Sequence, residues 1–260
     1  MSGKCAISVG PGWGTMSFKM NSPAGKRVLA MLRDGDYAHP GEDSAIAEAL
    51  SLVPHSEVRR VLDAGCGRGG TADWLSRNAW GSVVGLDIDD ESIRYATKTY
   101  PDVRFYTMDV AQAARLPELP FDLVSCFNTY YAFPDQAAAL RSLRSVCRPG
   151  AHLVLFDYCE FPNRQVPASL GEEIGRPVKF ADIGDQLCQC DWDLSEKKDI
   201  TDQYVMWYER LLSRLSTNRS AIVAAAGEEM CQYVAHWYGE LHRGLMARTI
   251  GGTLVTAVAR

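Results

Sequence analysis

The residues of this chain best suited to chemistry are a few carboxylates and one glycine-rich stretch. Asp63 stands two residues before the run Gly65-Cys66-Gly67-Arg68-Gly69-Gly70, and Asp87 and Asp109 follow later apolar stretches. Glycines let the backbone turn sharply and let a ligand approach the main chain without meeting a Cβ atom. A helix that follows such a turn points its free N–H groups at that ligand. The pattern predicts a nucleoside-binding site.

Asp63 indicates which nucleoside binds there. Gly65, Gly67 and Gly70 also satisfy the G-x-G-x-x-G pattern of NAD enzymes, so the glycines alone leave two cofactors open. A carboxylate beside the turn would repel a pyrophosphate but would attract a cofactor that carries an ammonium and a sulfonium. S-adenosyl-L-methionine carries both groups, so we expect it as cofactor and S-adenosyl-L-homocysteine as product.

The elements that position these residues read as alternating strands and helices. The stretch from Val61 to Asp87 is typical of one strand, glycine turn, helix and second strand, with the ligand at the carboxyl ends of the strands. Asp87 then ends the second strand, where it can accept hydrogen bonds from both ribose hydroxyls. Later strands are expected at 103–106, 121–127 and 152–156, with helices at 88–100 and 136–146 between them and a turn at 148–150.

The expected fold is a single α/β domain over residues 23–260. Its sheet is Rossmann-like, doubly wound and mostly parallel, and the last strand, 254–259, runs antiparallel to it. Proline and glycine in 160–192 indicate a small cap insertion over the active-site edge, and residues 1–22 form a flexible arm or a lid that carries Trp13 and Phe18. Further helices are expected at 23–31, 42–52, 183–190, 204–215 and 227–241.

The glycine stretch resembles the first motif of the class I S-adenosylmethionine-dependent methyltransferases. Asp63, Gly65, Gly67 and Gly69 match the form D-x-G-x-G-x-G without a gap. The resemblance implies that Asp87 binds the ribose and that Asp109 and the backbone of Val110 bind the adenine. The expected cofactor-binding residues are Asp63, Gly65, Cys66, Gly67, Gly69, Thr71, Asp87, Ile88, Asp109, Val110 and Asn128.

The C-terminal half looks like a narrower group, the phosphoethanolamine N-methyltransferases and their glycine, sarcosine and dimethylglycine relatives. The resemblance rests on Asp157-Tyr158-Cys159 and on the run from Asp199 to Tyr204. It implies stepwise methylation of a small amine, with Tyr158 as a substrate-side hydroxyl. Where the phosphoethanolamine enzymes place a catalytic Asp and His, this chain has Asn128 and Ala132. We therefore expect another amine, amino acid or imidazole nitrogen as acceptor.

Methyl transfer from a sulfonium is an in-line displacement that depends mainly on positioning the reactants. Aromatic rings that face a cationic amine or sulfonium add attraction. The candidate catalytic residues are Tyr37, His39, Asn128, Tyr130 and Tyr158. Two of them have a plainer alternative, in which Tyr37 packs against the core and His39 is a solvated loop residue.

The composition of the chain limits the kinds of partner that it can be expected to bind. A net charge of −5 argues against nucleic acid, since a phosphate backbone is held mainly by Lys and Arg. The apolar runs are shorter than the roughly 20 residues that cross a bilayer, and no signal peptide is expected. We expect a cytoplasmic monomer or homodimer with a small-molecule substrate, reduced cysteines and no metal site.

Three other functions stay open at this point. An O- or carboxyl-methyltransferase would use the same scaffold. An RNA methyltransferase is disfavoured by the charge and because Asn128-Thr129-Tyr130-Tyr131 is not the N-P-P-Y motif used on base amines. A non-catalytic methyltransferase-like scaffold would have no need to keep Asp63, the glycine turn, Asp87 and Asp109 together.

Overall fold

The computed structural model describes residues 23–260. The expected arm or lid at 1–22, with Trp13 and Phe18, lies outside the described residues. Within 23–260, no helix combines the length and apolarity that a membrane span requires. The cysteines of this part of the chain form no disulfide bonds.

A single sheet of eight strands forms the centre of the described fold. The strands are β1 (Arg60–Ala64), β2 (Ser82–Asp87), β3 (Arg104–Thr107), β4 (Phe121–Phe127), β5 (Cys147–Glu160), β6 (Val178–Lys179), β7 (Trp192–Asp199) and β8 (Gly251–Ala259). Their order is β3-β2-β1-β4-β5-β8-β7, and the short β6 pairs with β5. The strands β1 to β6 pair in parallel, while β8 lies antiparallel between β5 and β7. The predicted α/β, Rossmann-like, mostly parallel sheet with an antiparallel C-terminal strand is confirmed.

Helices cover both faces of this sheet. They are α1 (Pro23–Leu32), α2 (Glu42–Leu50), α3 (Gly70–Arg77), α4 (Asp90–Thr99), α5 (Gln136–Ser145), α6 (Ala168–Ile174), α7 (Ile183–Cys188), α8 (Thr201–Thr217), α9 (Arg219–Ala226) and α10 (Glu228–Met246). Successive side chains of β4 join two different cores, with Leu123 in one and Val124 in the other. Every residue of β4 is buried, as expected for a central parallel strand covered on both faces.

Three features of the observed fold differ from the sequence expectation. The edge strand β7 and the short helix α9 were not predicted, because β7 alternates weakly and its exposed positions carry Asp, Glu and Lys. The turn expected at 148–150 lies within β5, which is longer than the predicted 152–156. The pairing of β5 with β4 shifts register there, so the chain bulges while the strand continues through Gly150 at φ +81°.

A helical layer lies over the carboxyl ends of the parallel strands. In this layer α10 contacts α1, α6, α8 and α9. Of the segment 160–192, for which a cap is expected, α6 contributes Glu173 to the cavity below this layer, and α1 and α10 contribute more of its wall. The layer is therefore assembled from segments far apart in sequence.

Candidate active site

The glycine turn between β1 and α3 is built on left-handed backbone. Gly65, Gly67 and Gly69 have φ values of +79°, +53° and +91°. A Cβ atom on Gly65 would lie 1.9 Å from Thr129 Oγ1, whereas the nearest atom to a Cβ on Gly67 would be 3.9 Å away. Gly65 therefore packs against the neighbouring loop, and Gly67 leaves its side-chain space open.

The turn is tied to β2. The N–H groups of Gly65 and Cys66 donate to Leu86 O at 2.7 and 2.9 Å. The Cys66 thiol is buried, and this burial raises its pKa well above the ordinary value. Cys66 therefore supports the turn through its backbone, while its neutral side chain packs below the surface.

Asp63 is a buried carboxylate with one unpaired oxygen. Its Oδ1 accepts a hydrogen bond from Ser125 Oγ at 3.0 Å, because the two residues are register partners on β1 and β4. Its Oδ2 is buried and has no partner among the described residues. Burial raises the pKa of Asp63 to about 7. A carboxylate with an unmet acceptor fits a cofactor that carries an ammonium.

Asp87 and Ile88 stand at the tip of β2. Asp87 Oδ2 accepts from Gly67 N at 2.8 Å, and Asp87 Oδ1 accepts from Asp89 N at 2.9 Å. These bonds aim the carboxylate across the glycine turn and leave lone pairs on both oxygens for a diol. The Ile88 side chain is 73% exposed, which is unusual for a large apolar residue. A flat apolar ring of a ligand could pack against this side chain and bury it.

Asp109 and Val110 follow β3 at the same edge of the sheet. Asp109 is exposed, and its Oδ1 accepts from Ala111 N at 2.9 Å, which caps the 3-10 turn that follows. Val110 is buried beneath it, and its carbonyl accepts from Ser142 Oγ at 2.7 Å. The structure therefore places the three predicted carboxylates Asp63, Asp87 and Asp109 at or beyond the carboxyl ends of three adjacent strands.

A partly open cavity lies beside the glycine turn. One end is formed by Gly67, Arg68 and Asn128. The rest of its wall comes from the helical layer, the loops after α1 and β4, and β5. It consists of Lys26, Leu29, Ala30, Arg33, Asp36, Tyr37, Ala38, Tyr131, Tyr158, Glu173, Trp237 and Tyr238.

The loop over the glycine turn is held by Asp36. Its carboxylate accepts from Arg68 Nε at 2.7 Å, from Tyr100 OH at 2.8 Å and from Tyr95 OH at 3.1 Å. The Arg68 guanidinium also lies 3.5 Å from the centroid of the Tyr95 ring. A Cβ atom on Gly70 would meet the Asp36 backbone at 2.8 Å, so this glycine lets the loop approach closely.

Asn128 joins the glycine end of the cavity to the helical layer. It has a left-handed backbone with φ +49°. Its N–H donates to Phe156 O at 2.7 Å, and its Oδ1 accepts from Tyr204 OH at 2.8 Å. These bonds fix the side chain at the carboxyl end of β4.

Asp157 anchors the loop after Asn128, a role that sequence reasoning missed. It is fully buried and accepts from the backbone N–H groups of Thr129, Tyr131 and Tyr158 at 3.1, 3.3 and 2.7 Å. Burial raises the pKa of Asp157 to about 7, and these hydrogen bonds oppose that rise. An acid at the end of an apolar strand was the available signal, although nothing in the sequence indicated that it binds backbone.

Two predicted tyrosines line the cavity. Tyr158 is buried, and its hydroxyl is hydrogen-bonded to that of Tyr208. The Tyr37 hydroxyl donates to the carboxylate of Asp43. Burial raises the pKa of both tyrosines, so both are neutral at physiological pH.

His39 and Thr71 are not brought to the cavity. His39 is fully buried, and its Nε2 and Nδ1 lie 3.1 Å from Thr71 Oγ1 and from Pro40 O. Burial lowers the pKa of His39 to about 3, so the ring is neutral. Both ring nitrogens are engaged, and neither His39 nor Thr71 is among the cavity residues.

Tyr130 and Gly69 also lie away from the cavity wall. Tyr130 is fully buried in the core on the other face of the sheet, where its ring lies 5.9 Å from that of Phe133. Gly69 lets α3 approach its neighbours, because a Cβ there would lie 2.9 Å from the Phe105 ring. These two residues support the site rather than border its cavity.

Most of the cavity residues were not predicted as site residues, and Arg33, Trp237 and Tyr238 are three of them. Arg33 follows α1, and Trp237 and Tyr238 lie on α10. The helical pattern made the aromatic pair look like core, and an arginine before a polar loop looks exposed. No local signal in the sequence distinguishes them from such residues.

Comparison with known proteins agrees with this geometry. A family model for a methyltransferase domain matches residues 37–187. The chain is 35% identical to 2-methyl-6-phytyl-1,4-hydroquinone methyltransferase of Synechocystis sp. over 115 residues, 44% of this chain and 36% of that protein. It is 25% identical to the phosphoethanolamine N-methyltransferase of Triticum aestivum over 209 residues, 75% of this chain and 40% of that protein.

A solved structure extends the likeness to nearly the whole chain. The phosphoethanolamine N-methyltransferase 2 of Haemonchus contortus, solved with phosphomonomethylethanolamine and S-adenosylhomocysteine, superposes with a TM-score of 0.83 at 14% identity. The superposition covers 92% of this chain and 58% of that one. The chain spans less than half the length of the two curated relatives named above.

Proposed function

Because the chain belongs to the class I S-adenosylmethionine-dependent methyltransferases, we propose that it transfers a methyl group to a nitrogen of a small-molecule metabolite. One observation carries the proposal. The open side of the glycine turn, at Gly67, borders the same cavity as the aromatic residues of the helical layer. Donor and acceptor would therefore meet at one place.

The residues that would hold the donor are those at the strand ends. The unpaired Oδ2 of Asp63 suits the ammonium, the carboxylate of Asp87 suits the ribose hydroxyls, and the edge near Ile88, Asp109 and Val110 suits the adenine. When bound, S-adenosyl-L-methionine supplies a methyl group activated by a sulfonium. Gly67, which presents no side chain, would leave room for it beside the turn.

The cavity wall would orient the acceptor and exclude water. Tyr131, Tyr158 and Tyr238 present aromatic surface to the cavity, and rings attract a cationic amine by roughly 0.5 to 2 kcal/mol each when close. His39 is buried outside the cavity wall with both ring nitrogens engaged, and the tyrosines remain protonated. We therefore propose that approximation rather than a strong general base drives the transfer.

Two observations support nitrogen as the accepting atom. The similarity to the phosphoethanolamine N-methyltransferase of Triticum aestivum spans 75% of the chain, and the similarity to the hydroquinone methyltransferase spans 44%. In addition, Glu173 brings a carboxylate to the cavity wall, which would attract an amine.

The test is direct assay of the purified protein. It is incubated with S-adenosyl-L-methionine and a panel of small amines, amino acids and imidazoles, and the homocysteine product is quantified. Mass spectrometry and NMR then assign the atom that bears the new methyl group. We expect a methylated nitrogen. Asp102→Ala, which removes an exposed acid away from the site, is the matched control for an Asp87→Ala variant and should leave turnover unchanged.

Two results would contradict the proposal in different ways. A new methyl group on oxygen would overturn the choice of atom while keeping the reaction type. Binding of NADH in preference to S-adenosyl-L-methionine would overturn methyl transfer itself, because the electrostatic role of Asp63 would then be wrong.

A further inference from the structure

Arg33 is a buried cation with unmet hydrogen-bonding capacity. Its side chain is 1% exposed, and Nε and Nη1 have no hydrogen-bond partner among the described residues. The guanidinium lies 6.0 Å from the centroid of the Tyr208 ring. Arginine stays charged in proteins, and burial of an unpaired charge is strongly unfavourable. A fold tolerates such a group when something else completes it.

The side chains around Arg33 do not supply a counter-ion. Among the side chains that the structure describes, none forms an ion pair with Arg33. Glu42, an acid whose charge acts on Arg33, contacts Arg214 at 3.4 Å instead. Residues 1–22 contain neither Asp nor Glu, so that stretch has no side-chain carboxylate to offer. Tyr208 and Tyr238, which face the guanidinium, are neutral because burial raises the pKa of both hydroxyls.

A second orphaned donor lies in the same cavity. Trp237 Nε1 is buried and has no partner within residues 23–260. Arg33 and Trp237 both line the cavity that reaches Gly67 and Asn128. Two residues that line one cavity thus carry three nitrogen donors without partners among the described residues, and a ligand that accepts hydrogen bonds and carries negative charge would satisfy them. A water molecule would satisfy a donor but would leave the charge of Arg33 uncompensated.

We infer that Arg33 and Trp237 bind an anionic oxygen group, a carboxylate or a phosphate, on the methyl acceptor. That the anion belongs to the methyl acceptor rests on the proposed function, whereas the anion site itself rests on the donors without partners. The carboxylate of Glu173, which accepts from Tyr233 OH at 2.8 Å, borders the same cavity. Arg33 and Glu173 together select a molecule with an anion and an amine. Amino acids and phosphorylated amines are the two classes that carry both.

The test measures anion binding without methyl transfer. Acetate, inorganic phosphate and neutral acetamide are titrated into the wild-type protein by calorimetry, with and without saturating S-adenosyl-L-homocysteine. We expect at least one anion to bind at least tenfold more tightly than acetamide. This wild-type comparison needs no variant, so it stands even if a substitution at Arg33 prevents folding.

Variants then assign the anion to Arg33. Arg33→Met should lower the anion affinity at least tenfold, Arg33→Lys should retain part of it, and Trp237→Phe should weaken it while keeping the ring. The matched control is Arg210→Met on α8, an exposed arginine of the same helical layer, which should bind the anion like the wild type.

The outcomes separate this inference from the proposed function. Preference for acetate assigns carboxylated acceptors, and preference for phosphate assigns phosphorylated ones. Equal affinity for acetamide and both anions, or an anion affinity unchanged in folded Arg33→Met, overturns the inference while methyl transfer can still stand. Anion binding that depends on Arg33, in a protein that transfers no methyl group, keeps the anion site and removes the proposed function.

Discussion

The substitution Gly67→Ala tests whether a ligand needs the space beside the glycine turn, and its effect on ligand binding can be measured apart from the backbone strain that it causes. Gly67 has φ +53°, and a Cβ atom there would meet nothing closer than Ala38 Cβ at 3.9 Å. The fold therefore bears only the left-handed strain of about 1–2 kcal/mol. For a domain of this size, that strain lowers Tm by about 2–8 °C. The new methyl group would occupy the space assigned to the donor.

Gly150→Ala is the matched control for this substitution. Gly150 has φ +81°, and a Cβ atom added to it would have nothing within 4 Å. It lies in the first part of β5, before the residues that pair with the middle of β4, and outside the cavity wall. Both variants carry similar strain, and only one adds an atom beside the proposed donor.

Calorimetry gives the Tm and the Kd for the donor in both variants. We expect comparable falls in Tm, together with a donor Kd at least tenfold weaker in Gly67→Ala alone, a loss of about 1.4 kcal/mol or more. If Gly67→Ala binds S-adenosyl-L-methionine as tightly as Gly150→Ala does, no ligand lies against the turn. The assignment of the glycine turn as a donor site would then be wrong.

Three further predictions concern single polar groups. Asp87→Ala should weaken donor binding at least about tenfold if the carboxylate holds the ribose, and an unchanged Kd in calorimetry would argue against that role. Burial raises the pKa of Asp63 to about 7, so the donor-free fold holds a proton that the unfolded chain has lost, and its free energy of unfolding should fall as pH rises from about 4 to 7. Asp63→Asn should flatten this slope in denaturant titrations, though not abolish it because Asp157 titrates in the same range, and an unchanged slope would contradict the burial argument. Tyr158→Phe should lower kcat and leave the donor Kd unchanged, whereas loss of both would make the hydroxyl bonded to Tyr208 structural.

The donor half of the site could be predicted from sequence because its signals are local. A glycine turn needs particular residues at fixed spacing, and an acid at the tip of a strand follows from chain order in a parallel sheet. Asp63, Gly67 and Asp87 therefore came together as expected, with Asp87 bonded to Gly67 N. Their roles toward a ligand stay predictions.

The acceptor half could not be predicted, because it depends on packing between distant segments. Arg33 and Trp237 lie about two hundred positions apart and line the same cavity because α10 packs on α1. His39 looked like a loop base, but the fold buries it against Thr71 and Phe127. Residue type alone cannot reveal burial of that kind, since it is decided by tertiary contacts.

The helical layer has a consequence for how new specificities arise on this scaffold. Its helices α1, α8, α9 and α10 fall outside the segment 37–187 that the family model matches, and so do Arg33, Trp237 and Tyr238. Substitutions at these three residues would change the wall of the cavity without replacing any residue of the glycine turn or of the strand ends. Selection can thus change the substrate while the residues shared with distant homologues stay the same. Sequence similarity over the matched segment is therefore a poor guide to the substrate.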